Sequence, residues 1–68
     1  MVSNYKAARN RAGMTAQEVA TSIGVSITTL SSWETGKTSP TAQNLIELCR
    51  IYKCSADELL GIVPMKSK

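Results

Sequence analysis

Between Ala16 and Glu34 the chain reads AQEVATSIGVSITTLSSWE, two short amphipathic helical patterns hinged at one glycine. Val19, Ala20 and Ile23 share a helical face before Gly24, and Leu30 and Trp33 share one after it. Two helices that cross so soon after each other need a small residue where they touch, which Ala20 supplies. They also need a turn residue that tolerates positive φ, which Gly24 supplies. This run dictates two helices set at a sharp angle about a tight turn, and the rest of the chain has to cover their inner faces.

The chain has 68 residues, enough for one small domain with a marginal core. Hydrophobic residues make up 43% of it, which argues against disorder. No apolar run approaches a membrane span of roughly 18 residues, and no secretory apolar region follows Met1, so a cytoplasmic location is expected. The formal net charge is +3. That value is compatible with binding a polyanion but common among proteins that bind none. Cys49 and Cys54 have no histidine or further cysteine beside them, so a structural zinc site is not expected. Both are read as reduced thiols that pack as small hydrophobes. A disulfide between them would need Cα atoms within ~7 Å.

Five helical segments can be placed, and no strand, so the fold class is all-α. The first spans about Ser3 to Ala12, with Tyr5, Ala8 and Ala12 on one stripe, and Gly13 ends it. Thr15-Ala16-Gln17-Glu18 has the capping-box pattern, in which Thr15 caps and Glu18 reaches back. Ser26 caps the third helix, with Thr29 where an acid would be usual, and Thr35-Gly36 closes it. Pro40 breaks the chain before Thr41 opens a fourth helix, whose Leu45, Leu48, Cys49 and Tyr52 fall on an i, i+3, i+4, i+7 stripe. Ser55 to Glu58 is a second capping box before Leu59 and Leu60, and Gly61 ends the fifth helix. Residues 1–61 read as one domain and 62–68 as a tail without clear structure.

A helix pair built as in 16–34 is a helix-turn-helix, a unit whose second helix can enter the DNA major groove. With these residues placed, the chain resembles the Cro/CI-like, or XRE, family of phage and bacterial repressors. The resemblance runs from Tyr5 to Gly61. It rests on Gly13-Met14-Thr15, Glu18-Val19-Ala20, Ile23-Gly24-Val25-Ser26 and Trp33-Glu34-Thr35-Gly36-Lys37, with Pro40, Leu45 and Asp57-Glu58-Leu59-Leu60 at matching places. It implies a five-helix lambda-repressor-like bundle and a sequence-specific regulator of transcription, a repressor in type, acting on double-stranded DNA. The departure is at Ala16, where the family commonly carries a glutamine that helps hold a phosphate. Gln17, one position on, is turned ~100° around the helix.

From Ile27 to Trp33 there is no charged residue, which suits a helix lying against base edges, where an unpaired buried charge is costly. The resemblance implies base reading by Ser26, Ile27, Thr28 and Ser32. It implies phosphate contact by Thr29, Thr35 and Lys37. Thr15 and Gln17 join the phosphate candidates at the first turn of the second helix, where amide groups point outward. Lys6 and Arg11 are looser candidates on charge alone. Serine and threonine hydroxyls discriminate bases less sharply than a bidentate arginine, while Ile27 and the Thr28 methyl suit thymine methyls. The plain alternative is a solvated polar face. Arg9 and Glu34 match an ion pair of the family that ties the first helix to the reading helix. Trp33 and Met14 are expected in the core.

An enzyme is not expected, because the chain has no histidine, metal cluster, phosphate-cradling glycine loop or nucleophile with an adjacent base. No cofactor or small-molecule ligand is evident. The rival reading is a protein-interaction adaptor or antitoxin-like module that uses the same bundle without specific DNA binding. Weak hydroxyl-rich readout favours a homodimer on two half-sites, joined through the fourth and fifth helices and the apolar Ile62-Val63-Pro64-Met65. The chain is expected to be a complete small regulator.

Overall fold

In a computed structural model, which describes residues 3–64, the described chain forms five α-helices and no strand. These are α1 (Tyr5–Ala12), α2 (Ala16–Ile23), α3 (Ile27–Thr35), α4 (Ala42–Tyr52) and α5 (Ala56–Leu60). Among the described residues, no helix is long and apolar enough to cross a membrane.

Local chemistry sets both ends of nearly every helix. Thr15, Ser26, Thr41 and Ser55 each accept the amide of the residue three positions on, from Glu18, Thr29, Asn44 and Glu58. At α2 and α5 the glutamate returns the bond, with Glu18 accepting the Thr15 amide at 2.8 Å and Glu58 the Ser55 amide at 3.1 Å. Both capping boxes are therefore closed.

Every helix also ends in the same lock: a left-handed residue, then an amide that reaches back to the carbonyl five residues earlier. The bonds are Met14 to Arg9, Val25 to Ala20, Lys37 to Ser32, Cys54 to Cys49 and Ile62 to Asp57, from 2.9 to 3.2 Å. Such a Schellman closure satisfies carbonyls that the last turn would otherwise leave bare. The left-handed position is glycine in four of the five, and in α4 it is Lys53, at φ 54°.

The first helix starts two residues later than the sequence pattern suggests. Asn4 makes no side-chain cap to α1. Its amide donates to the Leu59 carbonyl and its Nδ2 to the Glu58 carbonyl, both at 2.8 Å. Asn4 is spent on the end of α5, so the chain turns into α1 only at Tyr5. Ala12, expected on the inward stripe, is exposed.

The core is drawn from all five helices: Tyr5, Ala8, Val19, Ala20, Leu30, Trp33, Leu48, Tyr52 and Leu59. Leu30, Leu48 and Leu59 have almost no exposed surface, and burying each contributes about 1.5–3 kcal/mol. Ala8 and Ala20 are sealed at the helix contacts, where a larger side chain would force the backbones apart. Met14, Ile23, Leu45 and Cys49 pack against this core as half-buried residues. α4 packs on α1, α2 and α5, whereas the substantial contacts of α3 are with α2 and α1. That asymmetry matters for the site, because it leaves the far side of α3 uncovered.

Candidate nucleic-acid interface

The helical period divides α3 into two faces. Leu30 and Trp33 point into the bundle and anchor it. Ile27, Thr28, Thr29 and Ser31 are exposed, Ser32 is half-buried, and the capping Ser26 is exposed beside them. Ile27 keeps 44% of its surface in solvent, an isoleucine displayed rather than packed. Ile27, Thr28, Ser31, Ser32, Thr35 and Lys37 together line a shallow open depression of about 310 Å³. Ser31, which is not among the base readers that the resemblance implies, belongs to the same surface.

The hydroxyls of this face are partly committed. Ser32 Oγ donates to the Thr28 carbonyl at 3.1 Å, and Thr35 Oγ1 donates to the Ser32 carbonyl at 3.3 Å. Both side chains fold back on their own helix, as such residues often do within helices. As they stand, they present acceptors outward. Ser26 Oγ accepts the Thr29 amide and donates to Thr29 Oγ1 at 2.9 Å, which leaves the Thr29 proton as the outward donor of that turn.

The helix is followed by a pinned loop. The Ser32 carbonyl collects the amides of Lys37, at 2.9 Å, and Thr38, at 3.3 Å, as well as the Thr35 hydroxyl. Lys37 is the cation on the rim of the depression, and its backbone is held against α3 by this closure. Its reach therefore starts from a fixed point.

The N-termini differ in charge. The first turn of α2 carries Glu18, whose carboxylate already occupies the amide end of that helix. The first turn of α3 carries no acid, so its positive dipole end is uncompensated. Thr15 is exposed, with its oxygen used as the cap. Gln17 is exposed and its Nε2 donates to Thr21 Oγ1 at 3.0 Å, so its amide lies along α2. Ala16, at the position where the family commonly has glutamine, is half-buried against the core.

Arg9 and Glu34 join α1 to α3. Arg9 Nε donates to Glu34 Oε2 at 2.7 Å and Nη2 to Oε1 at 3.3 Å, while Nη1 donates to the Met14 carbonyl at 3.1 Å. The two side chains keep 14% and 9% of their surface exposed. The hydrogen bond to Glu34 pushes the Arg9 guanidinium further above its ordinary range. Arg9 thus spends three donors inside the protein, linking α1 to Glu34 of α3 and to the turn before α2.

Arg11 is also engaged. Its Nη2 donates to the Tyr52 carbonyl at 3.3 Å, placing a cation at the C-terminal end of α4, where the helix dipole favours one. Lys6 is exposed on α1. Tyr52 itself is buried, and its hydroxyl has no hydrogen-bond partner among the described residues. Burial, reinforced by the neighbouring Glu34 charge, pushes that phenol up to about 12.

Among the described residues no group of three or more histidine, cysteine, aspartate or glutamate side chains could hold a metal ion. What is assembled on α3 and just beyond it is an exposed, hydroxyl-rich surface with one apolar residue, the Lys37 cation on its rim and an uncompensated positive helix end.

Comparison with known proteins meets this geometry. The family model described as helix-turn-helix matches residues 6–59. Over 60 residues the chain is 33% identical to the cryptic phage CTXphi transcriptional repressor RstR of Vibrio cholerae serotype O1 (strain ATCC 39315 / El Tor Inaba N16961), a match that takes in 88% of this chain and 51% of that protein. The chain spans about half the length of this curated relative. No solved structure matches it significantly.

Proposed function

Since the chain belongs to the helix-turn-helix family, in its Cro/CI-like or XRE branch, we propose that it is a DNA-binding transcriptional regulator of the repressor type. The observation that carries this reading is the uncovered outer face of α3, uncharged from Ser26 to Ser32 and rimmed by Lys37. An α-helix that protrudes in this way fits the major groove, and side chains without charge can lie against base edges without stranding a buried ion.

In this reading Ser26, Ile27, Thr28 and Ser32 read bases, and Ser31 joins them from the same depression. Ile27 and the Thr28 methyl pack on thymine methyls. Thr29, Thr35 and Lys37 hold phosphates on either side of the groove, helped by the amide end of α3. Thr15 and Gln17 contact the backbone at the start of α2, more weakly because Glu18 offsets the charge there. Arg9 and Glu34 set the docking angle rather than touch DNA. Similarity to a transcriptional repressor weighs against the adaptor reading.

The protein acts as a homodimer on two half-sites. Ile46, Ile62 and Val63 are 53%, 60% and 40% exposed on α4 and in the segment after α5, and a second copy would cover them. Met65, named with that segment, lies outside the described residues. Action in the cytoplasm follows from a DNA target.

Selection from a random duplex library, followed by fluorescence anisotropy on the enriched and on random duplex, tests the whole reading. The expected outcome is an inverted repeat with thymine at the contacted steps. Failure to enrich any sequence, with no binding at micromolar protein in low salt, would overturn it.

A further inference from the structure

Across the five C-terminal locks, the residue that donates the closing amide and the residue whose carbonyl receives it are brought side by side. Schellman closures typically place the side chains of these two positions in contact. At the end of α4 both positions are cysteine: the Cys54 amide donates to the Cys49 carbonyl at 3.2 Å. With standard bond lengths, that hydrogen bond leaves the two Cα atoms no more than about 7 Å apart, and nearer because the path bends at both ends. Both thiols are free, both are half-buried, and both pack against the same core cluster.

We propose that Cys49 and Cys54 are a dithiol that closes into a reversible intramolecular disulfide across the end of α4, by exchange with a low-molecular-weight disulfide. The thiolate of one cysteine attacks a sulfur of the small disulfide, forming a mixed disulfide and expelling one small thiol. The second cysteine then attacks the protein sulfur of that mixed bond, forming the Cys49–Cys54 bond and expelling the other small thiol. Two electrons and two protons leave the protein pair and appear on the two small thiols, so the exchange balances.

Burial pushes both thiols up, but the Arg11 guanidinium pulls against it at Cys54, and no cation does so at Cys49. The bridge spans Lys53, the one left-handed helix end among the described residues that is not glycine. Closing it restricts the conformations open to the unfolded chain around that turn. None of the residues that line the α3 depression takes part.

The test equilibrates the full chain with a graded series of glutathione disulfide and glutathione, quenches with acid, and reads mass and unfolding temperature. The expected product is a monomer lighter by two hydrogens, in excess over the mixed disulfide. It should melt at a higher temperature than the reduced chain. The Cys49→Ser and Cys54→Ser variants should each stop at a single glutathione adduct, showing that the second thiol completes the exchange. A wild-type product dominated by two adducts, by disulfide-linked dimers, or by unreacted thiols across the series would overturn the proposal. A bridged form that melts no higher than the reduced one would overturn the claim that the native geometry accommodates the bond.

Discussion

Removing Glu34 should cost more than any exposed ion pair could explain. The Arg9–Glu34 contact is bidentate, with bonds of 2.7 and 3.3 Å between groups that are 14% and 9% exposed. At 4 Å and an effective dielectric near 20, two unit charges attract by about 4 kcal/mol, and desolvation takes back a large part of that. A net coupling of about 1–2 kcal/mol remains. Glu34→Ala also strands the guanidinium in a mostly covered site, so its expected cost is about 2–3 kcal/mol. Arg9→Ala loses the bond to the Met14 carbonyl as well, adding about 1 kcal/mol. For a domain of this size, 2 kcal/mol corresponds to a fall of about 8–16 °C in Tm. Urea unfolding of the wild type, both single variants and the double variant, followed by circular dichroism, measures the coupling directly. Glu34→Gln, which keeps an acceptor and removes the charge, should fall between wild type and Glu34→Ala, and it covers the case in which the alanine variants are too unstable to measure. A coupling below about 0.5 kcal/mol is the value of a solvated surface pair, and it would refute the claim that this contact sets the angle of α3.

Three further outcomes follow from the same contacts. Lys37→Ala should weaken binding to all duplexes alike and reduce the slope of log K against log[salt] by about 0.9; a loss confined to one sequence would contradict a phosphate role. Lys53→Gly should stabilise the chain by about 0.5–1 kcal/mol in urea titrations, because relief of the left-handed strain at φ 54° exceeds the added freedom of the unfolded chain. Tyr52→Phe should be close to neutral at pH 7, since the hydroxyl it removes has no partner among the described residues. Its effect should appear in alkali. The phenol ionises near 10 when unfolded and at about 12 when folded, so the stability from keeping it neutral is complete below 10 and lost as the pH rises toward 12. Over that window the wild type should lose up to about 3 kcal/mol relative to Tyr52→Phe, and parallel losses in the two proteins would rule this out.

The five helices and most of their ends were legible because they depend on neighbours three to five residues away. Thr15 with Glu18, Ser55 with Glu58, and the glycines at 13, 24, 36 and 61 complete their bonds within one turn. Long-range ties left no such trace. Asn4 holds α5 across 54 residues, and Arg11 holds the end of α4 across 41, yet in sequence they read as a helix start and a surface cation. Lys53 was missed as a helix terminator because a lysine carries no sign that its φ is positive. The outward face of α3 follows from the helical period, but which of its hydroxyls turn back onto the helix does not. Ser32 and Thr35 are equivalent in pattern to Thr28, and only their rotamers distinguish them.

If the outer face of α3 reads DNA as proposed, the division between Leu30 and Trp33 inside and Ile27, Thr28, Ser31 and Ser32 on the outer face separates recognition from anchoring. Changes at the exposed Ile27, Thr28 and Ser31 leave the anchoring pair in place. Target preference in such a chain can therefore drift, or be rekeyed by hand, while folding stays nearly constant. A protein arranged this way is free to change what it recognises without first being rebuilt.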